Sequence, residues 1–216
     1  MKEYKTESIR NITFASHSGA GKTMLAEALL YYSGAINRMG KIEDGSTISD
    51  FDEEEQRRSI SIYTSVLPIE YNDFKINILD TPGYTDFLGE EISALRVSDG
   101  AVILVDAVAG IEVGTELAWN YSEEKNVPRF VLINKMDREN ANFKKMVDAF
   151  QEISDVRLLP LQLPWGEQAD FKGVIDLVNM KAHKGVGTES VEIPADLKNA
   201  AEEAHAAIIE AAAEGA

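Results

Sequence analysis

The chain has 216 residues, with 37 Asp and Glu against 21 Lys and Arg, a formal net charge of −16 and no cysteine. Absent cysteine excludes a disulfide framework, and the acidic balance argues against direct binding to DNA or bare RNA phosphates. No apolar run approaches the ~20 residues of a membrane-spanning helix, and the start Met1-Lys2-Glu3-Tyr4-Lys5 carries no secretory pattern, so a cytoplasmic location without a membrane partner is expected.

Asn11-Ile12-Thr13-Phe14-Ala15 belongs to a predicted strand over 10–15, apolar and rich in residues that favour extended backbone. Leu25, Ala28, Leu29 and Tyr32 then recur at helical spacing, giving a helix over 23–33 that Gly34 stops. Between them lies Ser16-His17-Ser18-Gly19-Ala20-Gly21-Lys22-Thr23. A Gly-rich turn joining a strand to a helix is the context of a phosphate-binding loop. Gly19 and Gly21 let the backbone N–H groups from His17 through Gly21 converge on phosphate oxygens, and the helix N-terminus adds positive potential. Lys22 can reach the outer phosphates, and the Thr23 hydroxyl is placed to bind Mg²⁺. The usual pattern opens with glycine, and Ser16 stands there instead.

Residues 34–60 carry no steady period, and a connection of that length is usually functional. Strands over 62–70 and 74–79 follow as an antiparallel pair, the second ending on Asp80-Thr81-Pro82-Gly83. Ligands of open α/β sheets sit beyond the carboxyl ends of strands, which suits Asp80 to hold Mg²⁺ through water and the Gly83 N–H to sense a γ-phosphate. A helix over 86–96, a strand over 101–105, a helix over 113–125 and a strand over 129–133 come next. Asn134-Lys135-Met136-Asp137 follows that last strand. A carboxylate only accepts hydrogen bonds, and guanine offers two adjacent donors that adenine lacks, so Asp137 specifies guanine. Asn134 would brace the loop and the stem of Lys135 would cover the ring. The implied ligand is GTP or GDP, and an ATP-dependent enzyme conflicts with this segment.

A helix over 139–153 completes an α/β order, read as a mostly parallel sheet flanked by helices on both faces. Beyond about 155 the texture changes. Short strands are expected at 158–163 and 173–178, with a turn near Trp165-Gly166. A helix over 195–213 should carry a stripe of Leu197, Ala201, Ala204, Ile208 and Ala212, and the alanine-rich end at 211–216 should fray. His183 and His205 have no metal-ligand partners at useful spacing and read as ordinary surface or helix positions.

These segments resemble a translational GTPase of the elongation factor G family. The likeness extends through Gly40-Lys41-Ile42-Glu43-Asp44-Gly45 and Asp50-Phe51-Asp52-Glu53-Glu54-Glu55-Gln56-Arg57-Arg58-Ser59-Ile60-Ser61-Ile62, similar to the first switch. It continues through Asp80-Thr81-Pro82-Gly83-Tyr84-Thr85-Asp86-Phe87, similar to the second. The resemblance implies a P-loop NTPase core over 1–155 and, over 156–216, the start of an inserted α+β subdomain. It implies that the family's last strand and helix are missing here, so that an isolated fragment could be inactive. It also implies a ribosome partner, ribosome-stimulated GTP hydrolysis, and Mg²⁺ held by Thr23, Ser61 and Asp80. Lys22, Gly83 and Tyr84 become the catalytic set. Ser61 stands for the family's threonine, Gly19 for a common aspartate, and Tyr84 for the catalytic histidine, which makes the divergent elongation factor G-like paralogues the nearer likeness. Tyr84 keeps a hydroxyl but forms no cation near neutral pH.

Overall fold

In the computed structural model, which describes residues 2–186 and 189–214, the chain divides by its contacts into two units, Met1–Asn134 and Lys135–Ala216. The first unit is built on a five-stranded sheet of β1 (Ile9–Ala15), β2 (Ser65–Tyr71), β3 (Phe74–Asp80), β4 (Gly100–Asp106) and β5 (Arg129–Asn134), in the order β2-β3-β1-β4-β5. All neighbours run parallel except β2 and β3, joined through Asn72 and Asp73, both at positive φ. Two such residues between antiparallel strands are the turn that matches their twist. On β2, Ser65, Leu67 and Ile69 are buried while Val66 and Pro68 face out. That alternation, with a proline that cannot donate to a ladder, suits an edge strand.

Its helices are α1 (Lys22–Tyr32), α2 (Glu53–Arg58), α3 (Leu88–Leu95) and α4 (Val113–Glu124). Ala26 and Leu30 of α1 pack with Phe14, Leu67, Ile69, Ile78 and Leu104. Leu95 of α3 packs with Ala101 and Val127, and Tyr121 of α4 joins them. Ala101 and Leu104 are three apart on β4 and point to opposite faces, so helices cover both sides of the sheet.

The second unit contains α5 (Phe143–Ile153), α6 (Lys198–Glu214) and an antiparallel sheet of β6 (Gln162–Trp165), β7 (Gly173–Asp176), β8 (Lys181–Lys184) and β9 (Ser190–Val191). Leu197, Ala201, Ala204 and Ile208 pack onto Ile175, Leu177 and Ala182, the stripe expected for that helix.

Several expected boundaries shift for local reasons. Helix α5 starts at Phe143, not 139, because the Asn142 side chain accepts from Lys145 N and caps it there. Helix α2 lies inside a stretch with no period. Its six residues, Glu53 to Arg58, contain no apolar one to create a stripe, and a capping box of Asp52 and Glu55 fixes its start. Residues 85–87 form a 3₁₀ turn before α3. Residues 158–161 are not strand, and β8 and β9 escape the sequence pattern because Lys181-Ala182-His183-Lys184 is too polar to read as a strand. His183 lies on β8, and His205 on α6 donates from Nδ1 to the Leu177 carbonyl at 2.6 Å. Helix α6 runs through Ala211–Ala213 to Glu214, and residues 215 and 216 of the end expected to fray lie outside those described.

Candidate functional site

Strand β1 ends at Ala15 and α1 begins at Lys22, so residues 16–21 form a loop at the carboxyl end of the sheet. Gly19 and Gly21 have φ of 80° and 107°, a region in which a side chain would be strained. Helix α1 has no side-chain cap, which leaves its first N–H groups directed into the loop. The Asn134 amide, at the end of β5, donates to the Ala20 carbonyl at 2.9 Å, and a Cβ at Gly21 would strike that amide. His17 turns away from the loop. Its Nδ1 accepts from Gly114 N at 3.3 Å, and its Nε2 lies 3.5 Å from Glu112 at the start of α4.

The Lys22 ammonium is buried and donates to Ser16 O at 3.1 Å, Ser16 Oγ at 3.2 Å and His17 O at 3.2 Å. Burial lowers its pKa, opposed by the charges of Asp80 and Glu91. Gly83 presses on the same place: a Cβ there would lie 2.5 Å from Lys22 Nζ and 2.7 Å from Ser18 N. Only glycine allows residues 80–84 to approach the loop so closely, and Thr81 fixes that approach by donating to Phe14 O at 2.6 Å.

The hydroxyls expected at the metal meet. Thr23 Oγ1 and Ser61 Oγ are 3.3 Å apart, and Ser61 donates to Asp50 at 2.7 Å. Asp80 is fully buried at the end of β3. One carboxylate oxygen accepts from Ser49 Oγ at 2.6 Å, and the other, Oδ1, has no hydrogen-bond partner. Burial pushes its carboxyl up to about 6, against the pull of Ser49, Lys22 and Thr23. An orphaned buried carboxylate oxygen beside two hydroxyls is a hard-oxygen set, and it fits Mg²⁺. Tyr84 is 43% exposed and lines a small, shallow cleft with Ser16, Gly83, Glu91, Gly114 and Leu117.

Lys135 and Asp137 belong to the second unit. Lys135 is at φ 60°, Met136 is buried, and Asp137 is exposed. Arg138 N donates to Lys135 O and Gln168 N donates to Met136 O, which pins the loop.

Four acidic residues near the loop were not singled out by motif. Glu27 on α1 accepts from Gly40 N at 3.0 Å and from Ile48 N, tying the 40–48 segment to the helix. Glu55 accepts from Asp52 N, Ile62 N and Tyr63 N. Asp50 holds Ser61, and burial raises its pKa despite that bond. Glu91 is buried on α3. The signal was available for two of them: Glu27 and Glu91 occupy the core-facing phase of their helices, where an unpaired charge is costly and needs a partner.

This arrangement can hold an anion on N–H groups and one ammonium, with a hard cation alongside. The family model of the elongation factor Tu GTP-binding domain matches residues 7–213. A crystal structure of a protein from Thermus thermophilus matches with a TM-score of 0.91 at 33% identity, covering 97% of this chain and 32% of that one. The chain thus spans about a third of the length of that protein.

Proposed function

The chain belongs to the family of the elongation factor Tu GTP-binding domain, and on that premise we propose that it serves an elongation factor G-like GTPase acting on the ribosome. The chain is a GTP-binding domain of the translational GTPase type, which fits a hydrolase. The meeting of Lys22, Thr23, Ser61, Asp80 and Gly83 around one loop, with Tyr84 at its rim, supports this proposal. The reading carries with it a core over 1–155, an inserted subdomain from 156, and action in the cytoplasm. Among the described residues no helix is long and apolar enough to cross a membrane.

In this reading the loop N–H groups of residues 17–21 and the Lys22 ammonium bind the phosphates, and the Gly83 N–H responds to the third. Asp137 accepts both guanine donors while Asn134 steadies the loop and Lys135 covers the ring. Thr23 and Ser61 would hold Mg²⁺ directly and Asp80 through water; bound there, the ion neutralises phosphate charge. Water attacks the γ-phosphorus as the bond to GDP breaks, its proton leaves on the inorganic phosphate, and Tyr84 orients the attacking molecule by its hydroxyl. The test is GTP turnover by the complete protein with and without ribosomes. Strong stimulation supports an elongation factor-like role. Turnover that ribosomes leave unchanged discards it for a GTP-dependent ribosome-associated regulator with slow hydrolysis, the reading that a tyrosine at position 84 favours.

A further inference from the structure

Glu91 plays no part in the chemistry above, yet it is a buried carboxyl in the cleft beside it. The side chain is 3% exposed on the inner face of α3, and its Oε1 has no hydrogen-bond partner. It shares the cleft of Ser16, Gly83 and Tyr84. Ser16 is the common wall: Lys22 Nζ donates to both its carbonyl and its hydroxyl, while its backbone N–H favours the charged form of Glu91. The hydroxyl that Ser16 brings to the first position of the loop therefore belongs to a small polar cluster of ammonium, serine and carboxyl.

We propose that Glu91 is a positioning residue for Lys22, the buried counter-charge of its ammonium, and that it takes a proton from solvent when a guanine nucleotide sets its phosphates beside that ammonium. This rests on the nucleotide reading above. A carboxylate and a polyphosphate then compete for one cation in a poorly solvated place, and the carboxylate is the group that can neutralise itself. Burial already pushes Glu91 up to about 7, with the Lys22 charge and the Ser16 N–H resisting. Lys22 on α1 is the charge that acts on it, and the titratable groups on neighbouring segments are Asp80 at the end of β3, His17 in the loop with Glu112 before α4, and Glu90 and Asp86 on its own side. Bound phosphate raises the Glu91 pKa further, so the bound state holds more protons. Affinity is thus greatest at low pH and falls as pH rises from the free value towards the bound one.

The experiment is calorimetric binding of GDP to the complete protein in buffers of different ionisation enthalpy, between about pH 6.5 and 8.5. The wild type should take up roughly half a proton or more near pH 7.5, and its affinity should fall several-fold more per pH unit than that of Glu91→Gln. Protonation of GDP itself contributes equally to both proteins and cancels in the difference. Glu91→Met, a second uncharged side chain of similar size, should reproduce the flat profile if the amide misfolds. If either folded variant shows the wild-type proton uptake, or loses affinity equally at every pH, the proposal is overturned. Failure of the wild type to bind GDP overturns it together with the nucleotide reading, which separates the two failures.

Discussion

Glu55→Ala tests how Ser61 is held. Glu55 is fully buried, and its carboxylate accepts three backbone N–H groups: Asp52 at 3.1 Å, Ile62 at 2.9 Å and Tyr63 at 3.1 Å. Ile62 directly follows Ser61, so this side chain fixes the backbone that carries the hydroxyl. Hydrogen bonds to a charged group contribute about 1.5–3 kcal/mol each, but they do not add, and freed N–H groups at an exposed residue such as Tyr63 regain water. The net loss should be about 3 kcal/mol, or roughly 100-fold in the local opening equilibrium. Amide hydrogen exchange reads it directly. Protection at Ile62 and Tyr63 should fall by about that factor in Glu55→Ala and by much less in Glu55→Gln, which keeps one acceptor oxygen. The core amides of β1 should not change. If Ile62 and Tyr63 exchange within threefold of wild type in the alanine variant, the carboxylate is not what holds them.

Gly83→Ala would put a methyl 2.5 Å from Lys22 Nζ and 2.7 Å from Ser18 N, so residues 80–84 must back away. GTP should then bind no more tightly than GDP in equilibrium titrations; an undiminished preference would remove Gly83 from γ-phosphate sensing. Asp137→Asn exchanges an acceptor for a donor and should shift base preference from guanine to xanthine by at least ~100-fold in competition binding. Tyr84→His restores a side chain able to carry charge near neutral pH and should raise ribosome-dependent turnover by about tenfold or more, as expected of a positioned acid-base group. Single-turnover hydrolysis at saturating ribosomes decides that last case. Gly114→Ala would bring a methyl 2.7 Å from His17 Cα, and crowding of this kind costs about 1–3 kcal/mol, measurable by thermal unfolding.

Local patterns were sufficient for the parallel sheet. Its strands are short runs rich in apolar residues, and β2, β3 and β4 end on or within two residues of a carboxylate. The loop from Ser16 to Thr23 and the Asp80 turn were equally legible, because positive φ demands glycine and a strand end demands a polar stop. The polar lattice around them was not. Ser49 reaching Asp80, Asp50 reaching Ser61, and Glu27 reaching Gly40 are side-chain bonds across 31, 11 and 13 positions. No periodicity encodes them. Helix α2 was hidden for the opposite reason: its stability is local and comes from its cap, so there is no apolar stripe to find. The β8 strand is held by pairing with β7 rather than by its own charged residues.

The segment between α1 and β2 is inside out. Four of its polar side chains, Thr47, Ser49, Asp50 and Glu55, are buried, while Ile48, Phe51 and Tyr63 are 50%, 66% and 50% exposed. Lifting it away would uncover little oil, and water can replace most of the contacts that are lost. A flap fastened this way opens with little of the heat-capacity signature of core exposure.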